Sequence, residues 1–317
     1  IELPRERQLG RAAVTARLPE PVARRRFWEA LLSGRAAELA LAGQLDHATA
    51  LARADLAAAQ PTHQSGKLFL VGAGPGAPDL LTLRAHRLLR TADVIVHDAL
   101  VPDELVAMAR RDAERICVGK LKGRHSIAQR QINEMLVRLV ASGNRVVRLK
   151  AGDPMVFGRA GEEIAALRAA KLSYEIVAGV TAAFAAAADT AIALTLRGVA
   201  AHLIMSTGHG ADGGEPEGWE SIAAAGGTVA LYMGRSVADR VVARLLAAGL
   251  DGATPVVAVE NAGRGDRRIL AGTLVELPAL AHRRDITGPV IILIGPAVAH
   301  GDLADALPFA RVDRAAA

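Results

Sequence analysis

A single cysteine, Cys117, stands in 317 residues. No disulfide can therefore form within the chain, and the usage fits a reducing compartment, the cytoplasm. Following Ile116 in an apolar run, this thiol reads as a small core residue rather than a nucleophile. Aromatic residues are scarce at 3%, and none is interleaved with a basic run. Stacking platforms for bases are thus missing, and no nucleic-acid partner is expected. No apolar run nears the roughly 20 residues that cross a bilayer, so no membrane partner is expected either. The opening Ile1-Glu2-Leu3-Pro4-Arg5-Glu6-Arg7 is charged and lacks an apolar h-region; a secretory signal is not expected, and Ile1 points to a fragment or processed product. The nine histidines form no His-x-x-x-His or His/Cys cluster, which argues against a metal.

What is present is globular in character, with 51% hydrophobic and 22% charged residues. The length accommodates two core domains and an extension. A net charge of +5 favours an anionic partner. A small polycarboxylate or phosphate fits, and so does a merely arginine-rich composition.

Residues 1–60 are rich in Ala, Leu and Arg. The i,i+4 apolar pairs Phe27/Leu31 and Trp28/Leu32 predict a helix over 23–32, and two more are expected over 36–43 and 45–59. This helical region is too short to bury a core alone, so it should pack on a neighbour or a second subunit. A linker, 61–66, follows. From Lys67 onward strands (67–71, 93–97, 115–118, 145–149) alternate with helices, one from Asp79 to Arg90 and one opened by a capping box at Ser126. Such alternation predicts an α/β fold with a parallel sheet covered on both faces. An α/β domain over 67–180 is expected. A second, over 181–308, should hold a mixed sheet with strands at 201–206, 228–232, 255–259, 268–274 and 290–294. Residues 309–317 read as a frayed tail.

Ligands of parallel sheets bind at the carboxyl ends of the strands. Gly72–Gly76, Asp98, Lys120 and Lys150–Pro154 each follow a predicted strand, so all converge on one edge. Taken alone, Gly72-x-Gly74-x-x-Ala77 with Asp98 fits a dinucleotide fingerprint, and an NAD-dependent oxidoreductase is one reading. Pro75 counts against it by removing an amide that a pyrophosphate would use.

The later motifs favour another reading. Val71-Gly72-Ala73-Gly74-Pro75-Gly76, Asp98-Ala99-Leu100-Val101, Val118-Gly119-Lys120, Arg148-Leu149-Lys150-Ala151-Gly152-Asp153-Pro154, Phe157-Gly158-Arg159, Gly161-Glu162-Glu163, Gly179-Val180-Thr181-Ala182-Ala183, Thr207-Gly208-His209 and Tyr232-Met233-Gly234 occur in that order. The series, covering 67 to about 296, closely resembles the uroporphyrinogen-III C-methyltransferases of the tetrapyrrole methylase family. Residues 1–60 resemble the dimerisation region that precedes this module in multifunctional sirohaem synthases, where a dehydrogenase and ferrochelatase domain stands further upstream.

The resemblance implies two α/β domains with S-adenosyl-L-methionine in the cleft between them, S-adenosyl-L-homocysteine as product, and a homodimer. The acceptor would be uroporphyrinogen III, methylated twice to precorrin-2 for sirohaem and cobalamin synthesis. Carried over by position, Pro75, Ala151, Gly152, Asp153, Val156, Thr181, Ala182, Met233 and Ala262 would contact the cofactor. Asp98 would act as base, with Lys120 as proton donor or electrostatic partner. Arg124, Arg159 and His209 are candidate clamps for the carboxylates of the tetrapyrrole. Bland readings stand beside these: Asp98 as a helix cap, Lys120 as a solvated strand end, Asp153 as turn chemistry, Met233 as core packing.

Some positions depart from the family pattern. Ala151 replaces the first glycine of Gly-Gly-Asp-Pro, Ala178 replaces the proline of Pro-Gly, Leu121 an arginine and Leu196 a histidine, and Ala262-Gly263 stands for Gly-Thr. Alternatives to the first reading are accordingly a methyltransferase acting on a later corrinoid or related tetrapyrrole, and a non-catalytic cofactor-binding remnant.

Overall fold

A computed structural model describes residues 3–59, 66–119, 128–210 and 226–310, together with Gly218, Glu220 and Ala223. Four helices come first: α1 (Leu3–Arg17), α2 (Pro21–Ser33), α3 (Arg35–Leu41) and α4 (Leu45–Ala58). The last three were expected from apolar spacing. α1 was not, because it has no apolar stripe; of its described side chains only Val14 is buried. Pro21 opens α2, where its missing N–H is harmless. Arg25 and Glu29 of α2 pair with Asp93 and Arg110, tying the helical region to the unit that follows.

Five parallel strands, β1 (Lys67–Gly72), β2 (Val94–His97), β3 (Glu114–Cys117), β4 (Arg145–Lys150) and β5 (Ser173–Val177), form a sheet in the order β3-β2-β4-β1-β5. Alternate residues of these strands serve opposite faces. Phe69, Val71, Ile95, Val147 and Leu149 pack with α5 (Leu83–Leu89) and α6 (Asp103–Ala107). Leu68, Val94, Val96 and Val146 pack with α7 (Gln129–Ala141) and Leu167 of α8 (Ala160–Ala169). Both faces are covered, as the alternation predicts. Cys117 ends edge strand β3 half-buried.

Three local expectations are corrected. α5 begins at Leu83 rather than Asp79, because Thr82 caps it, accepting the Ala85 amide at 3.2 Å; Pro78–Leu80 form a separate 3₁₀ turn. α7 begins at Gln129 with Ala128 as N-cap, and the Gln131 side chain reaches back to the Ala128 amide at 3.2 Å; Ser126, the expected capping residue, lies outside the described residues. β5 was not foreseen, since Ser173-Tyr174-Glu175-Ile176-Val177 lacks the continuous apolar run of the inner strands. It is an edge strand, open on one side, where polar residues are tolerated.

The second sheet is mixed, as expected. It contains β6 (Leu203–Thr207), β7 (Thr228–Tyr232), β8 (Pro255–Glu260), β9 (Arg268–Thr273), β10 (Val290–Ile294) and β11 (Leu307–Pro308), in the order β11-β9-β8-β10-β7-β6. α9 (Ala182–Asp189) packs on the face formed by Val257, Val259, Ile291 and Leu293. α10 (Ala238–Ala247) packs on the other, against Val256, Ala258 and Ile292. The expected tail starts too early: Phe309 is 1% exposed and belongs to the core. Its ring lies where a Cβ on Gly272 would stand, 2.9 Å from Phe309 Cδ2.

Candidate active site

The carboxyl ends of β1 and β4 meet in a knot of three backbones. The Ala73 amide donates to Lys150 O at 2.7 Å, Gly74 to Gly152 O at 3.1 Å, and Gly152 back to Gly74 O at 2.7 Å. A Cβ on Gly179 would stand 2.4 Å from Gly152 O and 2.8 Å from Gly72 Cα, so the third strand of the knot has to be glycine. These bonds also answer the dinucleotide reading. The amides of Ala73 and Gly74 already have acceptors and Pro75 has none to give, so three successive positions of this turn offer no N–H to a pyrophosphate.

Beside the knot, between the first sheet's carboxyl edge and the second sheet, lies a cavity of about 290 Å³. All nine residues carried over as cofactor contacts line it: Pro75, Ala151, Gly152, Asp153, Val156, Thr181, Ala182, Met233 and Ala262. They come from loops after β1, β4, β5, β7 and β8, which the topology gathers on one side. Leu100, Phe157, Tyr232, Asn261 and Arg264 also contribute. The wall is mainly apolar with few polar groups, the usual character of small-molecule pockets.

Its polar groups are held in place. Asp153 Oδ1 accepts from the Met155 amide at 2.8 Å and Oδ2 from the Gly179 amide at 2.9 Å, so turn chemistry is one of its roles. The Tyr232 hydroxyl lies 2.6 Å from Thr181 Oγ1 and accepts the Ala183 amide at 3.3 Å. Burial pushes the Tyr232 phenol above its ordinary value, keeping it neutral. The Tyr232 and Phe157 rings are tilted at 51° with centroids 5.0 Å apart. Three non-glycine residues of the wall have positive φ: Phe157 (50°), Met233 (53°) and Asn261 (52°). Backbone of this kind costs about 1–3 kcal/mol each and clusters at ligand sites. Met233 is 49% exposed, so core packing does not explain it.

The other expected residues are placed differently. Asp98 caps no helix with its side chain; it follows β2 outside the cavity wall, two residues before Leu100. Its Oδ1 accepts from Arg148 Nη2 at 2.5 Å, and Oδ2 lies 3.9 Å from Lys150 Nζ. Both cations also reach Glu163. Burial, then the Arg148 charge, lowers the Lys150 amine below its ordinary value, against the pull of Glu163 and Asp98. Arg159 is exposed and bidentate to Glu162, at 2.7 and 3.0 Å. His209 shares a 3.1 Å hydrogen bond with Ser236 Oγ. Neither lines the cavity. Lys120, Leu121 and Arg124 lie outside the described residues.

Sequence reasoning missed Tyr232 and Arg264. Tyr232 precedes Met233 in a quoted motif and could have been noticed as a buried polar tip. Arg264 had no local signal, for its guanidinium crosses to the other half, donating to Pro75 O at 2.9 Å and Leu100 O at 3.1 Å. The departures from the family pattern are accommodated. Ala151 packs against the cluster shared by β1 and β4. Leu196 joins the α9 face and exchanges backbone bonds with Ala200. Gly263, at φ 74°, takes the tight position against Pro75. Among the described residues no group of His, Cys, Asp or Glu could hold a metal ion, and no helix is long and apolar enough to cross a membrane.

Residues 67–278 match the family model described as Tetrapyrrole (Corrin/Porphyrin) Methylases, and residues 10–56 match that of the Sirohaem synthase dimerisation region. A siroheme synthase of Chromobacterium violaceum is 44% identical over 304 residues, covering 95% of this chain and 63% of that protein. The chain thus spans less than two thirds of the length of that curated relative. Among solved structures, a uroporphyrin-III C-methyltransferase of Thermus thermophilus complexed with S-adenosylhomocysteine aligns with a TM-score of 0.65 at 35% identity, covering 74% of this chain and all of the other. A cobalt precorrin-4 methyltransferase of cobalamin biosynthesis aligns with a TM-score of 0.67 at 30% identity, covering 75% of this chain and 98% of that one.

Proposed function

Since the chain belongs to the tetrapyrrole (corrin/porphyrin) methylase family, we propose that it methylates uroporphyrinogen III twice, giving precorrin-2 for sirohaem synthesis in the cytoplasm. S-adenosylmethionine, when bound, supplies the electrophilic methyl group of a sulfonium. The observation that carries the reading is the cavity: nine residues from five separate loops converge on one apolar chamber. Its chemistry suits the cofactor. Apolar walls, the aromatic pair Tyr232/Phe157 and the exposed thioether of Met233 favour a flat base and a soft cation over a hydrated anion.

The chain's own residues have two tasks. The first is alignment, since a transfer that disperses positive charge gains most from fixed orientation. The Gly72–Gly152–Gly179 knot, the Tyr232–Thr181 bond and the Arg264 bridge make that wall rigid. The second is removal of a proton from the methylated macrocycle, which a positioned carboxylate performs. Asp98 is that acceptor, its Oδ2 without a bond as short as the one on Oδ1. Lys120 is its proposed partner. Arg124, Arg159 and His209 are the proposed contacts for substrate carboxylates, Arg159 exchanging Glu162 for the ligand. Exposed Leu32, Leu41 and Leu45 on the helical region, Leu41 at 90%, would be covered by a second copy in a homodimer.

The test is calorimetric titration with S-adenosylhomocysteine, with NAD in parallel, followed by transfer of radiolabelled methyl to uroporphyrinogen III. Binding of the first ligand alone and incorporation of two methyl groups are expected. Binding without transfer to uroporphyrinogen III, but with transfer to a later corrinoid, would move the acceptor along the pathway. Affinity for NAD alone would refute the reading.

A further inference from the structure

Arg148 and Lys150 lie two apart on β4 and so face the same way, toward the helices over that side of the sheet. Their neighbour in that row, Val146, is apolar and sits in the core with α7. Two cations therefore occupy positions where apolar side chains would serve the fold. Both are nearly inaccessible, and so is Glu163 of α8. A single oxygen of Glu163, Oε1, receives Arg148 Nε at 2.9 Å, Lys150 Nζ at 3.2 Å and Gln129 Nε2 at 3.4 Å. Its other oxygen is buried with no hydrogen-bond partner.

Buried ion networks of this kind add little net stability, and apolar replacements of similar volume often do as well. The network must be judged by what it holds. Arg148 is fixed by Glu163 and by the carbonyls of Val96 and Leu149, at 3.5 and 3.4 Å. Its remaining nitrogen is on Asp98 Oδ1 at 2.5 Å. Lys150 is walled in by Gly158, where a Cβ would stand 3.2 Å from Lys150 Cε, and it faces Asp98 Oδ2. Two carboxylates and two cations balance, and three of the four groups are buried. The fourth, Asp98, is 31% exposed at its side chain and presents one oxygen to Arg148 and the other to Lys150.

We propose that Glu163, acting through Arg148 and Lys150, is the positioning residue that fixes the orientation of the Asp98 carboxylate for proton removal. The inference rests on the reading of Asp98 as proton acceptor. It gives a role to three charged residues that the cavity does not use. A displacement of about 1 Å at such a group is enough to slow a reaction about 100-fold.

The test compares Glu163→Gln, Asp98→Asn and the double variant, measuring S-adenosylhomocysteine affinity by calorimetry and kcat and KM with uroporphyrinogen III. Glu163→Gln is expected to bind the cofactor product within threefold of the parent and to keep KM, while kcat falls 10- to 100-fold. In the Asp98→Asn background the same change is expected to slow turnover by less than twofold, because it acts through a group already lost. Should Glu163→Gln fail to fold, Lys150→Met combined with Glu163→Gln keeps the network neutral and is expected to show the same loss of kcat. Losses that multiply in the double variant, or parental kcat in the Glu163 variants, would overturn the proposal while Asp98→Asn stays slow. Parental turnover in Asp98→Asn itself would overturn the reading beneath it.

Discussion

Tyr232→Phe isolates one oxygen at the junction of α9 and β7. The ring keeps its contact with Phe157, so the change removes only the bonds to Thr181 Oγ1 and the Ala183 amide. A neutral hydrogen bond contributes about 0.5–1.5 kcal/mol net, and a buried donor left unpaired costs about 1–3 kcal/mol. Ala183 is such a donor. It lies in the first turn of α9, where amides have no acceptor within the helix, and it is fully buried. The Thr181 hydroxyl, also buried, loses its partner too. A destabilisation of about 2 kcal/mol is expected, read as a shift of the urea midpoint with an unchanged slope. Thr181 and Met233 flank the bond and both line the cavity, so S-adenosylhomocysteine affinity should fall about 3- to 10-fold. Thr181→Val should show a similar loss, and the two changes together should fall short of their sum by about 1 kcal/mol. Strictly additive losses would refute the argument, for then the hydroxyls act separately.

Gly179→Ala should weaken S-adenosylhomocysteine binding at least 10-fold by calorimetry, because its Cβ meets two backbone segments that cannot rotate aside. Arg264→Ala removes the bridge to Pro75 O and Leu100 O; hydrogen bonds from a charged donor contribute about 1.5–3 kcal/mol when buried, and this half-exposed pair should contribute less. A 3- to 10-fold faster release of S-adenosylhomocysteine in stopped flow, with little change in melting, is expected. Glu175 is held below its ordinary value by the hydrogen bond from Lys67, then by Arg84. Its folded value being depressed, its stabilisation is complete above the ordinary value near 4.5 and is lost as pH falls through the folded one. Glu175→Gln should therefore differ from the parent at pH 7 by no more than about 1 kcal/mol. That difference should vanish on acidification in urea titrations.

The fold was legible wherever burial is two-sided or periodic. β1, β2 and β8 are short, largely apolar runs, β4 carries the apolar core Val146-Val147 and Leu149, and the ends of all four were read to within a residue or so. α1 and β5 were not legible, and the reason is shared. Of the described side chains of α1 only Val14 is buried, and β5 is an edge strand with a charged residue at its centre, so neither shows the apolar pattern that makes an element visible. Phe309 shows a related limit. The apolar run 306–310 around it is too short to show a period, and its place depends on the space over Gly272, 37 positions earlier by number.

The site divides along the same line. Residues that form the cavity by backbone course, such as Gly152, Thr181 and Met233, sit in ordered motifs and could be carried over from a resemblance. What holds them is different in kind. The Arg264 bridge spans 189 residues to Pro75, and the Tyr232–Thr181 bond spans 51; such pairs follow from the meeting of two sheets and leave no spacing to read. Arg148 and Lys150 are the intermediate case. Charges at alternate positions of a strand whose other buried residues are Val and Leu contradict its burial, and such a contradiction has to be resolved by a partner from elsewhere in the chain. The sequence thus contained the question, and α8 supplies the answer in Glu163. If that pairing served packing alone, the neutral Lys150→Met, Glu163→Gln pair would leave turnover as it was. Its effect on kcat is therefore the measurement that separates a charged core from a supported carboxylate.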